Sequence, residues 1–187
     1  MTIYDDDKDF IDEADTPFIG LALKYGLIGG LIVTVWTLLS GVLGLNEASI
    51  TSAILGTVVA LGIYAGVVYT AIKKHRDDDL GGHITLGRAF LLGLVACIIT
   101  GLIGGIAAFV YYNFIDPAAV DQIVETTAEM MEGFGLPEEQ LEEAIQGARD
   151  GFGFGKLMFN SGIGAAIMGS IVSIITAAIM KKEAPMV

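Results

Sequence analysis

The chain has 187 residues, of which 53% are hydrophobic and 17% charged, and its formal net charge at pH 7 is −12. Its mean hydropathy of +0.67 exceeds what one small soluble core requires, which favours a membrane protein over a soluble domain. The acidity excludes nucleic acid as a partner, because phosphate backbones are bound by basic surfaces.

An acidic tail opens the chain over residues 1–19. A removable signal peptide needs a basic region near its start, and this tail carries carboxylates instead. We therefore expect the first apolar segment to be retained as a membrane span. The acidic residues of the tail are Asp5, Asp6, Asp7, Asp9, Asp12, Glu13 and Asp15.

Four apolar segments follow, at about residues 20–45, 48–72, 86–115 and 157–180. A helix rises about 1.5 Å per residue, so each segment can cross a hydrocarbon core of roughly 30 Å. The segments are apolar all round, whereas helices of soluble proteins keep a polar face. The sequence therefore predicts an all-α fold, a four-span transmembrane helical bundle that forms a single membrane domain over residues 1–187.

The lysines and arginines predict the orientation of these spans. Eight of them lie at one set of span ends and two on the opposite side, so the positive-inside rule places both termini and the middle loop in the cytoplasm. The spans then form two hairpins, the first closed at residues 46–49 and the second interrupted by an extracytoplasmic insertion at 116–156. The eight are Lys8, Lys24, Lys73, Lys74, Arg76, Arg88, Lys181 and Lys182, and the two are Arg149 and Lys156.

Small residues recur at every fourth position within the spans. Lipid supplies no hydrophobic drive for helix association, so close approach of backbones must hold such a bundle together. We interpret these residues as packing surfaces between the spans, and the alternative is a seam between copies of the chain. The predicted helix-packing residues are Gly26, Gly30, Gly62, Gly66, Gly93, Gly101, Gly105, Ala165, Gly169 and Ser173.

The insertion at 116–156 has the pattern of an acidic helical hairpin. Asp116 suits an N-cap and Pro117 a first helical position, and the Gly133–Gly135 segment ends that helix before Pro137 starts a second. Both helices are amphipathic, so their apolar faces pack together or lie on the membrane surface. Their carboxylates form a solvated acidic face in preference to a metal site, and would attract basic partners or cations.

No catalytic, cofactor-binding or metal-ligating residue is predicted, and no cofactor. The span interiors lack the ionisable groups that pumps need, and their hydroxyls are expected to bond to helix backbones. His75 and His83 share one loop, and we expect neither to be a ligand or proton relay, because no carboxylate lies at helical spacing to orient it. Cys97 is expected to be a packing residue in the third span.

Several stretches resemble an uncharacterised bacterial membrane protein family, the domain of unknown function 4199. They are KYGLIGG at 24–30, AIKKHR at 71–76, GHITLGRAF at 82–90 and YNFIDP at 112–117, followed by an acidic helical insertion and a glycine-rich last span. The resemblance covers nearly the whole chain. It implies a bacterial inner (plasma) membrane location and brings no established activity or functional residues, and the long acidic tail departs from the family.

The sequence thus predicts a non-catalytic structural or accessory component of the bacterial inner membrane, whose acidic hairpin offers a docking surface. The alternative is an oligomeric passive transporter or channel for a small solute or cation, and a membrane enzyme ranks third. The expected partners are the lipid bilayer and either further copies of the chain or a larger membrane complex.

Overall fold

The computed structural model describes residues 13–43, 45, 50–135 and 137–182. Six α-helices account for most of these residues. Among the described residues, the only β-type pairing is an isolated antiparallel bridge between Ile84 and Lys182. The predicted all-α fold is confirmed. The predicted turn at 46–49 and residues 1–12 of the acidic tail lie outside the described residues.

Four helices are long and apolar enough to cross a membrane, so the chain is a multi-pass membrane protein. A π-helical turn extends α2 and another extends α3, each closed by an N–H that donates to the carbonyl five residues earlier. The observed ends differ from the predicted ones by a few residues. The four helices are α1 (Ile19–Val42), α2 (Ile50–Lys74, extended by His75–Asp79), α3 (Leu86–Val110, extended by Tyr111–Ile115) and α6 (Phe154–Met180).

Helix α3 lies at the centre of the bundle and packs against α1, α2 and α6. It runs parallel to α1, because Gly26 approaches Ile99 and Gly30 approaches Ile103. It runs antiparallel to α6. The ends of the bundle therefore separate the chain into a basic end, with Lys24, Lys73, Lys74, Arg76, Arg88, Lys181 and Lys182, and a hairpin end, which carries the insertion.

Large apolar side chains cover the outside of the bundle. Leu31 is 64% exposed, Ile167 58% and Ile106 49%. In water this much apolar surface would be costly, whereas in lipid it faces an equally apolar solvent. The exposed surface is thus that of a membrane protein.

The insertion forms two helices, α4 (Ala118–Gly133) and α5 (Glu138–Asp150), as predicted. The Asp116 carboxylate accepts a hydrogen bond from the Ala119 N–H at 3.2 Å, and Gly135, with a positive φ of 71°, ends α4. Helices α4 and α5 pack against each other, and Val124 of α4 is buried. Helix α5 buries no residue.

Candidate functional site

Helices α3 and α6 meet along a stripe of small residues. A Cβ added to Gly101 would overlap that of Ala165, and one added to Gly169 would lie 2.6 Å from Cys97 Cβ. Real Cβ atoms do not approach so closely, so glycine is what permits this spacing of the backbones. The close contacts pair Gly93 with Ser173, Gly101 with Ala165, Gly105 with Ser161 and Gly169 with Cys97.

Helices α1 and α3 approach each other equally closely. Cβ atoms added to Gly26 and Gly30 would lie 2.7 Å and 2.6 Å from the Cβ atoms of Ile99 and Ile103. Eight of the predicted packing residues, all except those on α2, therefore lie in the α1–α3 and α3–α6 contacts.

A hydrogen bond crosses the α1–α3 contact. The buried Thr100 Oγ1 lies 3.0 Å from the Ala96 carbonyl of its own helix and 3.2 Å from the Gly26 carbonyl of α1, and its hydroxyl donates to them. A Cβ added to Gly29 would lie 2.5 Å from that hydroxyl. Sequence reasoning missed Gly29, although its spacing from Gly26 places both on one helix face.

Among the described residues, no other helix packs onto the groove predicted on the second span. No atom of another described element lies within 4 Å of a Cβ added to Gly62 or Gly66, and both residues are exposed. Helix α2 packs through a different face nearer the basic end, where larger side chains bury more surface. The residues of that face are Val67, Val68, Ala71 and Ile72.

A buried histidine joins α2 to α3 at the basic end. His75 is fully buried; its Nδ1 lies 2.9 Å from Asp79 Oδ2, and its Nε2 lies 3.3 Å from Arg88 Nε. Arginine Nε can only donate, so His75 Nε2 accepts and the ring proton on Nδ1 donates to Asp79. The expectation that no carboxylate lies at helical spacing to orient His75 is therefore wrong, because Asp79 follows His75 by four residues and its carboxylate accepts from the ring.

The Arg88 side chain makes two contacts that position it. Its Nε donates to His75, and its guanidinium carbon lies 4.6 Å from the centre of the Phe18 ring, a cation–π contact. Its Nη2 is buried and has no hydrogen-bond partner within the described part of the chain. Because Arg88 contacts Phe18, which precedes α1, and His75, which follows α2, it fixes the start of α3 against both helices.

Further contacts seal this end of the bundle. Glu13 accepts hydrogen bonds from both the backbone N–H and the hydroxyl of Thr85, each at 2.6 Å, while Thr85 caps α3 by accepting from the Arg88 N–H. Arg76 Nη1 donates to the Met180 carbonyl at 3.3 Å, which ties the π-helical turn to the end of α6. The His75 ring is thus fully buried, and its two hydrogen bonds serve a structural role by joining α2 to α3.

An open cleft of about 750 Å³ lies at the hairpin end, between the base of α4 and the start of α6. Its floor is formed by the rings of Tyr112 and Phe152, whose centres are 4.9 Å apart. An ion pair of 3.0 Å between Arg149 and Asp121 joins α5 to α4 along one wall. Asp150 and Lys156 line the cleft as well.

Residues 24–182 match a family described as "Protein of unknown function (DUF4199)". The chain belongs to this family. No curated protein and no solved structure matches the chain. Membership agrees with the resemblance seen in the sequence, and the family's description assigns no activity.

Two of the stretches that carry the DUF4199 resemblance meet at the basic end, since residues 71–76 include the buried His75 and residues 82–90 contain Arg88. A third, residues 24–30, begins at that end with Lys24 and provides the glycines that contact the middle of α3. The fourth stretch, 112–117, lies at the other end, where Tyr112 helps to form the floor of the cleft. The stretches thus mark the two polar ends of the bundle.

The hairpin of this DUF4199 protein displays carboxylates on both helices. All eight that the sequence placed opposite the apolar faces are exposed, and no group of three His, Cys, Asp or Glu side chains among the described residues could hold a metal ion. Near the tip, Met130 is 60% exposed and Phe134 76%. The carboxylates are Asp121, Glu125, Glu129, Glu132, Glu138, Glu139, Glu142 and Glu143.

Proposed function

We propose that this protein is a non-catalytic accessory component of the bacterial inner membrane, and that its α4–α5 hairpin docks a basic partner protein. The observation that carries this proposal is the hairpin itself. It projects eight exposed carboxylates, and α5 buries no residue against the rest of the chain. An acidic surface of this kind attracts basic partners by charge complementarity. The bacterial location rests on the family resemblance.

The polar groups of the spans support a non-catalytic role. The hydroxyls of Thr34, Thr37 and Ser170 each donate to a carbonyl four residues earlier in their own helix. Such hydroxyls are occupied by the backbone and have no adjacent base to activate them. His75, the one buried histidine of the described chain, is used at both ring nitrogens.

Co-purification in mild detergent tests the docking proposal. Changing Glu125, Glu129, Glu139 and Glu142 to glutamine removes four exposed charges, and the control changes Gln122 and Gln140, also exposed on the hairpin, to alanine. We expect a basic protein to co-purify in constant ratio with the unaltered chain and the control, to dissociate as salt rises, and to be lost from the glutamine variant. Equal retention by the glutamine variant would refute the proposal.

A second candidate function, an oligomeric passive transporter, is favoured by the open α2 face at Gly62 and Gly66. Exposed glycines four residues apart are a common contact between transmembrane helices, and four spans alone enclose little lumen. Flux of cations or small solutes from loaded liposomes separates the two functions. Selective flux that is lost when Gly62 and Gly66 become leucine would replace the accessory proposal.

A further inference from the structure

The cleft at the hairpin end lies at the level where lipid headgroups meet the protein. Part of its lining comes from the end of one span and the start of another, since Tyr112 follows α3 and Phe154 begins α6, and the rest comes from the base of the hairpin. Tyr112, Phe152 and Phe154 line it, and aromatic side chains concentrate at this depth of a bilayer. A ligand of this cleft can therefore keep acyl chains in the membrane.

The charges of the cleft are mixed, although the segment around it is strongly acidic. Residues 116–156 contain ten acidic and two basic side chains, and both basic ones, Arg149 and Lys156, line the cleft. Asp121 and Asp150 line it too, so its four charges sum to zero. A cleft with both cationic and anionic side chains and no net charge is complementary to a ligand that carries one positive and one negative charge.

The ion pair inside the cleft leaves two charges for such a ligand. Arg149 is paired with Asp121, whereas Lys156 forms no ion pair within the described chain. Asp150 accepts one hydrogen bond, from Gln146 Nε2 at 3.0 Å, and an ionised carboxylate can accept several. Lys156 and Asp150 thus offer one cation and one anion beside the rings of Tyr112 and Phe152.

We propose that this cleft binds the headgroup of a zwitterionic phospholipid with a primary ammonium group, phosphatidylethanolamine. Lys156 contacts the lipid phosphate, and the ammonium group donates to Asp150 and lies near the aromatic floor. Phosphatidylglycerol offers no cation to the carboxylates and is repelled by the acidic hairpin, and the choline headgroup has no N–H to donate. This site is independent of the partner protein proposed above.

Native mass spectrometry of the full chain in detergent, titrated with the palmitoyl-oleoyl forms of the three lipids, tests the site. We expect one phosphatidylethanolamine per chain, bound about fivefold or more tightly than phosphatidylcholine or phosphatidylglycerol. This comparison requires no variant. Equal binding of the three lipids, or tightest binding of phosphatidylglycerol, would overturn the proposal.

Variants then locate the site. Lys156→Gln and Asp150→Asn should each weaken phosphatidylethanolamine binding about tenfold, because each removes one charge-assisted contact. Lys156→Arg, which keeps the charge, and Lys182→Gln, a control at the basic end, should bind as the unaltered chain does. Unchanged binding by both cleft variants, with helicity and monodispersity retained, would place the lipid elsewhere on the bundle.

Discussion

His75 uses both of its ring nitrogens in hydrogen bonds, to Asp79 and to Arg88, so its replacement should leave both partners without that bond. In His75→Ala the Arg88 Nε loses its acceptor in a site closed by Phe18, and a buried donor without a partner is costly. We expect a loss of about 2 kcal/mol in the free energy of unfolding, measured as a lower thermal midpoint in detergent.

Gly87→Ala is the control for His75→Ala. It lies in the first turn of α3, and no described atom beyond its chain neighbours and the local helix backbone lies within 4 Å of the added methyl group. Its thermal midpoint should equal or slightly exceed that of the unaltered chain, because alanine favours a helix over glycine. If His75→Ala did so too, the hydrogen bonds of the buried imidazole would contribute nothing to stability.

The glycines of the bundle provide a matched pair for testing close helix packing. Gly101→Ala places a methyl group onto Ala165, whereas Gly66→Ala places the same group in open space on α2. Overpacking costs about 1–3 kcal/mol, so we expect Gly101→Ala to lower the free energy of unfolding by that amount. Gly66→Ala should leave it unchanged or raise it slightly, because alanine favours a helix over glycine. Reversible unfolding in mixed micelles measures both, and equal values would show that the α3–α6 contact tolerates a wider spacing.

At the scale of the helices, the hairpin and the bundle are separable. Helices α4 and α5 pack mainly on each other, and the hairpin joins the bundle through α4 and the π-helical turn at Tyr111–Ile115. Replacing residues 118–150 by a flexible linker of about eight glycine and serine residues should therefore leave the four spans folded.

Circular dichroism and size-exclusion chromatography in detergent check the hairpin replacement. Helicity should fall only by the share of α4 and α5, and the elution profile should stay symmetric. Aggregation would show instead that the hairpin is required for assembly of the spans.

Most of the architecture follows from features that the sequence displays directly. A long uncharged segment in lipid is stable as an α-helix, because a helix satisfies every backbone polar group within the segment. The four spans could therefore be predicted from the sequence. In the insertion, Pro117, Gly135 and Pro137 mark helix ends whatever the surroundings. These elements could be predicted because their causes are local.

One missed detail was local, because Asp79 lies four residues after His75 and that spacing is visible in the sequence. The other missed details depend on how the helices meet, since Arg88 reaches His75 across a loop that folds back on α2. Gly62 and Gly66 have the same spacing as Gly26 and Gly30, yet they face away from α3. Spacing identifies a small-residue face, while the arrangement of the whole bundle decides which faces pair.

For the molecule as a whole, orientation in the membrane is the remaining prediction. The basic end carries most of the lysines and arginines, so the positive-inside rule places it in the cytoplasm and the hairpin outside. Two single-cysteine variants test this, with Glu142→Cys on the hairpin and Asp78→Cys at the basic end. The native Cys97 is fully buried and should give little background.

A membrane-impermeant maleimide reports which end is outside. We expect it to label Glu142→Cys in intact spheroplasts and Asp78→Cys only after permeabilisation, because the bilayer separates the two ends of the bundle. The reverse labelling would place the acidic hairpin in the cytoplasm, and the docking partner would then have to be sought there. The proposed lipid site would be unaffected by that reversal, because a phosphatidylethanolamine headgroup can occupy either leaflet.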